Sequence, residues 1–487
     1  MLIVRMPAGR DAMRRYVCTV VLGDWLGLAW RMEQDTRSDV SICREGSPFE
    51  LRIPDAFFSI PESDWLADDS LPTTPLTYWD GKGFENDGAL VDLPLPLLYG
   101  ANNSGIAQGE RGVQLPFDVF GSIFFLLTGY EELASVERDS HGRFPASASL
   151  AMRADFIDRP LADEYAEILW LAMHRLWPQL KRRTVEPQIL LSCDVDQPFD
   201  CSVASVPALL RACAGDMVKR RVPTAAMRRM LCFIYNRLGD YRFDPCYTFD
   251  TYLELCKEFD LRATFFFIPS SSEVNNGCYS ITDIHIQRLM RKLSDAGHEI
   301  GMHGCYEAYL DAVQTENHYD QLSRVMAQVG VPHPLRSNRQ HYLRWDSRIT
   351  PSVLDQAGFK FDSSGGFADH AGFRYGTARE FQMWDWIGCK QLEIRQRPLV
   401  VMDCTLTHPD YMALGYGESA QSYIRKLIQK VRRYRGNFSA LWHNDELSSN
   451  LGYLQLLQLL TSWRDDSNDN VKSYPRSGTD LLHRNTY

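Results

Sequence analysis

The rhythm of apolar and polar positions changes near residue 185. Before it, short apolar runs alternate with proline-bearing turns, among them Leu71-Pro72 and Leu93-Pro94-Leu95-Pro96-Leu97-Leu98. Two helical patterns come next. In 117–133, Phe117, Phe120, Ile123, Phe124 and Leu127 recur at helical spacing, and 162–176 repeats the style. Such an aromatic stripe predicts a face turned to the core rather than a cofactor site. Residues 1–180 therefore read as an α+β domain. Its string Asp139-Ser140-His141-Gly142-Arg143-Phe144 reads as a helix end and solvated loop, with the lining of a cleft as the alternative.

After Val185-Glu186-Pro187, strand-like runs alternate with helices. The runs 189–193, 263–268, 299–303, 359–362, 399–403 and 439–443 predict strands, and 249–259, 284–296, 318–329, 350–358 and 421–434 predict helices. This alternation implies parallel pairing, hence an α/β sheet or barrel over 185–463. No internal repeat interrupts it. Residues 202–241 form a helical, basic insertion bearing Lys219, Arg220, Arg221, Arg228 and Arg229. Its plain reading is a solvated helix face; contact with an anionic membrane surface or a phosphate-bearing substrate is the other. A polar tail, 464–487, closes the sequence.

The 487 residues carry 52 Lys and Arg against 62 Asp and Glu, a formal charge of -10, which argues against nucleic acid as a partner. No apolar window reaches the ~18 residues of a membrane span, and no secretory signal is evident, so a cytoplasmic protein without an integral membrane segment is expected. The 12 cysteines are dispersed and form no Cys-x-x-Cys pair, which suits reduced thiols. Of 12 histidines only His141 and His174 precede residue 280, which points the chemistry to the second half.

The residues at the strand exits are more telling. The run 189–193 exits into Asp194-Val195-Asp196, 299–302 into His303, 359–361 into Asp362, and 440–442 into His443. In β/α barrels catalytic groups gather at the carboxyl ends of strands. Asp-x-Asp at such an exit offers one carboxylate to a divalent cation and leaves its neighbour as a base, although loop or capping use is as common. Joined to histidines at two other exits, it points to metal-assisted hydrolysis. His303 and Glu307 are four apart, so a helical turn would set both on one face as a ligand pair. A solvent-facing role is the other reading of Glu307, and His298 reads as a capping or packing residue.

In this order the segments resemble the polysaccharide deacetylases (NodB-homology, carbohydrate esterase family 4). They are Ser192-Cys193-Asp194-Val195-Asp196-Gln197-Pro198, Arg262-Ala263-Thr264-Phe265-Phe266, Gly297-His298-Glu299-Ile300-Gly301-Met302-His303, Arg339-Gln340-His341-Tyr342, Phe361-Asp362-Ser363-Ser364 and Leu441-Trp442-His443. Pro116-Phe117-Asp118-Val119-Phe120-Gly121, Gly129-Tyr130-Glu131-Glu132 and Arg159-Pro160-Leu161-Ala162-Asp163-Glu164-Tyr165 resemble the additional N-terminal domain of the subgroup found in surface-polysaccharide gene clusters.

The resemblance implies a distorted β/α barrel with Asp194 as general base, His443 as general acid and Arg339 as the arginine that orients the base. It implies a divalent metal, zinc first with manganese or iron as alternatives, on Asp196, His303 and Glu307. His341, Tyr342, Asp362 and Trp442 are candidates for substrate contact or support, His341 also for ligation. Three departures stand out: Cys193-Asp194-Val195-Asp196 lacks the paired Asp-Asp-Gly, Glu307 stands where the family's second motif histidine falls, and Arg339-Gln340-His341-Tyr342 lacks the proline of Arg-x-Pro-Tyr.

The expectation is a metal-dependent deacetylase acting on a saccharide or saccharide precursor of surface-polysaccharide synthesis, with other enzymes of that synthesis as candidate partners. A glycan-binding scaffold with a degenerate site and an allantoinase-like hydrolase of another C–N bond are the rival readings.

Overall fold

The computed structural model describes residues 1–84, 91–100, 107–109, 112–270, 276–277, 279–447 and 451–461. The tail expected at 464–487 lies outside them.

The N-terminal part is built on β1 (Leu2–Pro7), β2 (Trp30–Asp35), β3 (Asp39–Arg44), β4 (Glu50–Pro54), the separate antiparallel pair β5 (Thr77–Trp79) and β6 (Leu95–Leu97), then β7 (Ala107–Gly109) and β8 (Gly112–Gln114). The main sheet runs β2-β1-β3-β4-β8-β7, with β1–β2 and β4–β8 parallel and the rest antiparallel. The aromatic stripe forms helix Val119–Leu127, every residue of it buried. Asp118 caps its start: Oδ1 accepts from Gly121 N at 2.8 Å, and Oδ2 from Ala56 N and Phe57 N, both at 2.9 Å. The helix predicted over 117–133 is broken at Gly129, whose φ of 64° is left-handed and where a Cβ would come within 2.5 Å of Ser347 Oγ. It resumes at Tyr130–Ala134.

The second part is a nine-stranded sheet of β9 (Ile189–Val195), β10 (Ala263–Phe267), β11 (Glu299–Gly304), β12 (Ser337–Gln340), β13 (Phe361–Asp362), β14 (Phe381–Asp385), β15 (Lys390–Gln396), β16 (Val401–Met402) and β17 (Phe438–Leu441). Its order is β14-β15-β13-β12-β11-β10-β9-β17-β16, parallel throughout except for β14–β15. The fold is a mixed α/β one; among the described residues no pairing joins β14 to β16 to close the ring. Leu191, Cys193, Val195, Phe265, Ile300 and Met302 face a core shared with the surrounding helices. Alternation along each strand then turns Ser192, Asp194, Phe266, Gly301 and His303 to the opposite face. Gly301 is required there, because a Cβ would sit 2.6 Å from the Phe266 ring.

The two parts pack on each other. Tyr16 and Phe124 lie against Trp384, with ring centroids 5.1 and 5.6 Å away, and Tyr16 Oη donates to the Gln382 carbonyl at 2.7 Å. Buried Arg374 pairs with Glu132 at 2.7 Å. The expectation that all thiols are reduced is corrected at one position: Cys201 is disulfide-bonded, its partner lying outside the described residues.

Candidate active site

Asp196, His303 and His341 meet at the carboxyl end of the second sheet, each offering a ligand-type atom within 4.8 Å of the others. Asp196 follows β9, His303 is in β11, and His341 follows β12, the neighbour of β11. His303 Nε2 lies 3.3 Å from Asp196 Oδ1 and 3.4 Å from Asp194 Oδ2, and His341 Nε2 lies 3.5 Å from Asp196 Oδ2.

The donor set fits a divalent cation. His303 Nδ1 is 2.9 Å from the Arg339 carbonyl, which can only accept, so this nitrogen carries a proton and Nε2 is directed at two carboxylates. Lone pair against carboxylate is repulsive unless a proton or a cation intervenes. Asp194 Oδ1 and Asp196 Oδ1 are buried with no hydrogen-bond partner. Burial disfavours the charge on Asp196, yet His341 and His303 outweigh it and hold its carboxyl well below the usual range. Burial likewise opposes protonation of His303, and Asp194 and Asp196 more than compensate, raising its pKa.

His443, just beyond β17, faces the cluster with Nε2 at 3.9 Å from Asp196 Oδ2. Its Nδ1 donates to Asp403, at 2.8 Å from Oδ1 and 3.0 Å from Oδ2, while its backbone N–H donates to Asp403 Oδ2 at 2.5 Å. Burial would lower the His443 pKa, but the fully buried Asp403 carboxylate outweighs it and lifts the pKa well above the ordinary value. Sequence reasoning missed Asp403, although it ends the predicted strand 399–403 as the other polar exits end theirs. Cys404 lies beside this pair, and burial pushes its thiol up.

Arg339 is fully buried below the cluster. Its Nη2 donates to Ser192 Oγ at 2.7 Å, and it makes no hydrogen bond to Asp194, on which it acts only through its charge. Asp362 accepts from Asn338 Nδ2, Ser364 N, Ser364 Oγ and Gln396 Nε2 at 2.7–2.9 Å, a buried network that ties β12 to the turn after β13.

Two expected site residues lie elsewhere. Glu307 is 62% exposed and pairs with Arg344 at 3.1 Å. The helical turn that would have set it beside His303 does not form, because His303 belongs to a strand and Glu307 only precedes the short helix Ala308–Leu310. Trp442 is fully buried in the core, so its ring offers no face to a sugar. Tyr342, by contrast, is 39% exposed at the rim, its ring 4.6 Å from that of His341 and 4.8 Å from that of His141. The loop bearing His141 and Arg143 thus reaches this rim from the N-terminal part: His141 Nδ1 is 3.0 Å from Tyr306 Oη.

Residues 242–359 match the family model "Polysaccharide deacetylase". The chain carries a polysaccharide deacetylase domain. Enzymes of this family hydrolyse carbon–nitrogen bonds other than peptide bonds, and the domain supports a carbohydrate deacetylase. The match includes His303, Arg339 and His341, whereas Asp194, Asp196, Asp403 and His443 lie outside it and join them through the fold. Residues 2–178 match a family of unknown function, DUF7033. Among solved structures, a candidate polysaccharide deacetylase from Mycobacterium smegmatis is 18% identical, covering 60% of this chain and 87% of its own, with a TM-score of 0.37. The Xyl-CE4 domain of a multidomain xylanase from the hindgut metagenome of Trinervitermes trinervoides is 12% identical, covering 57% and 83%, with a TM-score of 0.27. A search of curated proteins finds no match. No helix among the described residues is long and apolar enough to cross a membrane.

Proposed function

We propose that the deacetylase domain removes an N-acetyl group from a saccharide, using a divalent cation held by Asp196, His303 and His341. The observation that carries this reading is the convergence of a buried carboxylate, Asp194, whose Oδ1 has no hydrogen-bond partner, and a carboxylate-backed histidine, His443, on one Asp-His-His cluster. Two histidines and one carboxylate with an open position suit zinc, with manganese or iron as competitors. When bound, the cation supplies Lewis-acid polarisation of the acetyl carbonyl and a lowered pKa for water.

The chain's residues do the rest. Asp194 Oδ1, free of donors, accepts the proton of the attacking water. His443, whose pKa the Asp403 carboxylate holds well above the ordinary value and whose ring Asp403 orients through Nδ1, delivers a proton from Nε2 to the departing amine nitrogen. Acetate and a free amino sugar result. Tyr342, partly exposed at the rim, is the aromatic ring placed to contact a pyranose. A precursor of surface-polysaccharide synthesis as substrate, and association with enzymes of that synthesis, extend the proposal on the resemblance of the N-terminal segments.

The scaffold alternative took its force from Glu307 replacing a ligand. His341 offers the missing imidazole, and a binding module has no use for a base and an acid together. Acetate release from metal-loaded protein and N-acetylated oligosaccharides tests the reading. Turnover that falls at least about 100-fold in Asp194→Asn and His443→Ala is expected. No release from any N-acetyl sugar would overturn it, and hydrolytic ring opening of small cyclic ureides would favour the allantoinase-like reading.

A further inference from the structure

The helical insertion between β9 and helix Phe249–Glu258 turns much of its apolar surface outward. It is a hairpin of Val206–Ala214, continued by Gly215–Arg220, and Pro223–Leu238. Leu209 and Cys232 close a small internal core with Val203. On the other faces Leu210, Met217 and Val218 are 64, 62 and 79% exposed, and Met227, Ile234 and Leu238 stand out equally on the second helix. Leu210 and Met217 are seven apart, as are Met227 and Ile234, and Leu238 follows Ile234 by four, which aligns them as outward stripes with Val218 beside Met217. This much exposed aliphatic surface is unusual on a solvated face.

Charge narrows the occupant. Residues 205–238 hold seven Lys or Arg and one acid, a net +6 in a chain of formal charge -10. The one acid, Asp216, is buried and bound by Arg220 and Arg229 at 2.6 and 2.8 Å, which leaves Lys219, Arg221 and Arg228 exposed beside the apolar stripes. Nucleic acid would use the cations but not the Leu, Met and Ile side chains. An apolar stripe flanked by Lys and Arg is complementary to an anionic bilayer surface, into which a helix lying flat sinks its apolar face while its cations meet lipid phosphates.

The hairpin's position gives this a consequence. Both of its stems are tied to the residue after His443: Asn444 Nδ2 donates to the Gln197 and Cys246 carbonyls at 2.9 and 2.8 Å, and its own carbonyl accepts from Thr248 Oγ1 at 2.6 Å. The hairpin therefore springs from the rim of the candidate active site. We propose that residues 205–238 dock the protein peripherally on anionic lipid bilayers. Resting on the deacetylase reading, the same contact brings the site to saccharides carried on a lipid.

The test is co-sedimentation of the full chain with vesicles of phosphatidylcholine, alone or with about 30% phosphatidylglycerol. Binding at least about tenfold tighter to the anionic vesicles, and weakened by salt, is expected. The triple variant Leu210→Ser, Met217→Ser, Val218→Ser should lose at least about tenfold in binding. Lys219→Glu, Arg221→Glu, Arg228→Glu should abolish the preference for anionic lipid. Unchanged melting curves show that both variants fold. Equal weak retention on both vesicles, or binding that neither variant alters, overturns the proposal. So does a dimer in sedimentation velocity that the serine variant dissolves, which would assign the face to a second copy. Vesicle binding is read without substrate and acetate release from soluble saccharides without vesicles, so failure of one leaves the other standing.

Discussion

Arg143, from the N-terminal part, donates through Nη1 to the backbone carbonyl of Tyr342 at 2.9 Å, one residue beyond His341. Tyr342 and Leu343 both have left-handed backbones, with φ of 60° and 56°, a conformation that costs non-glycine residues about 1 kcal/mol or more each unless the surroundings hold it. Arg143 is buried and fixed by Asp139 at 2.7 Å, so it is one of the groups that hold it. The variant Arg143→Ala is expected to loosen the turn and weaken metal binding by about tenfold, as loss of a supporting contact around a ligand does. A competition titration with a zinc-binding dye measures this.

The parallel strands were legible because burial on both faces leaves apolar runs, and their polar exits at Asp194, Asp196, His303 and His443 were legible for the same reason. β12 was not, since Ser337-Asn338-Arg339-Gln340 contains no apolar residue; its burial is made possible by bonds such as Asn338 to Asp362 and the Gln340 N–H to Ser364 Oγ. Without that strand, the pairing of His303 with Arg339 that sets His341 beside His303 is invisible, and a helical i, i+4 rule pointed to Glu307 instead. The contact of Arg143 with Tyr342 spans 199 residues of sequence, which no local pattern encodes.

Asp403→Asn tests the acid. A raised pKa in the fold means that the stability contributed by the His443 imidazolium is complete below the ordinary histidine value and is lost as pH rises through the raised one. Removing the Asp403 charge lowers that pKa, so the alkaline limb of the pH–rate profile moves toward acid. Relative to wild type, activity should fall at least about tenfold more at pH ~8 than at pH ~6. A profile that keeps its alkaline limb would separate His443 from the protonation step.

Arg14 and Asp55 form a buried two-pronged pair in the N-terminal part, at 2.6 and 2.8 Å, each with a side chain 2% exposed. Removing one partner leaves a charge without water or counter-charge. Arg14→Ala is expected to cost about 3–5 kcal/mol, read by urea denaturation, and more than any exposed pair such as Arg291–Asp295, expected at ~0–1 kcal/mol.

The most direct measurement is metal stoichiometry, by plasma mass spectrometry and zinc titration, on wild type, Asp196→Ala, His303→Ala, His341→Ala and Glu307→Ala. One tightly bound ion per chain in wild type and Glu307→Ala, weakened at least about 100-fold in the other three, is the predicted result. No ion in wild type, or an ion lost in Glu307→Ala and retained in His341→Ala, would contradict the Asp196-His303-His341 site and the hydrolysis built on it.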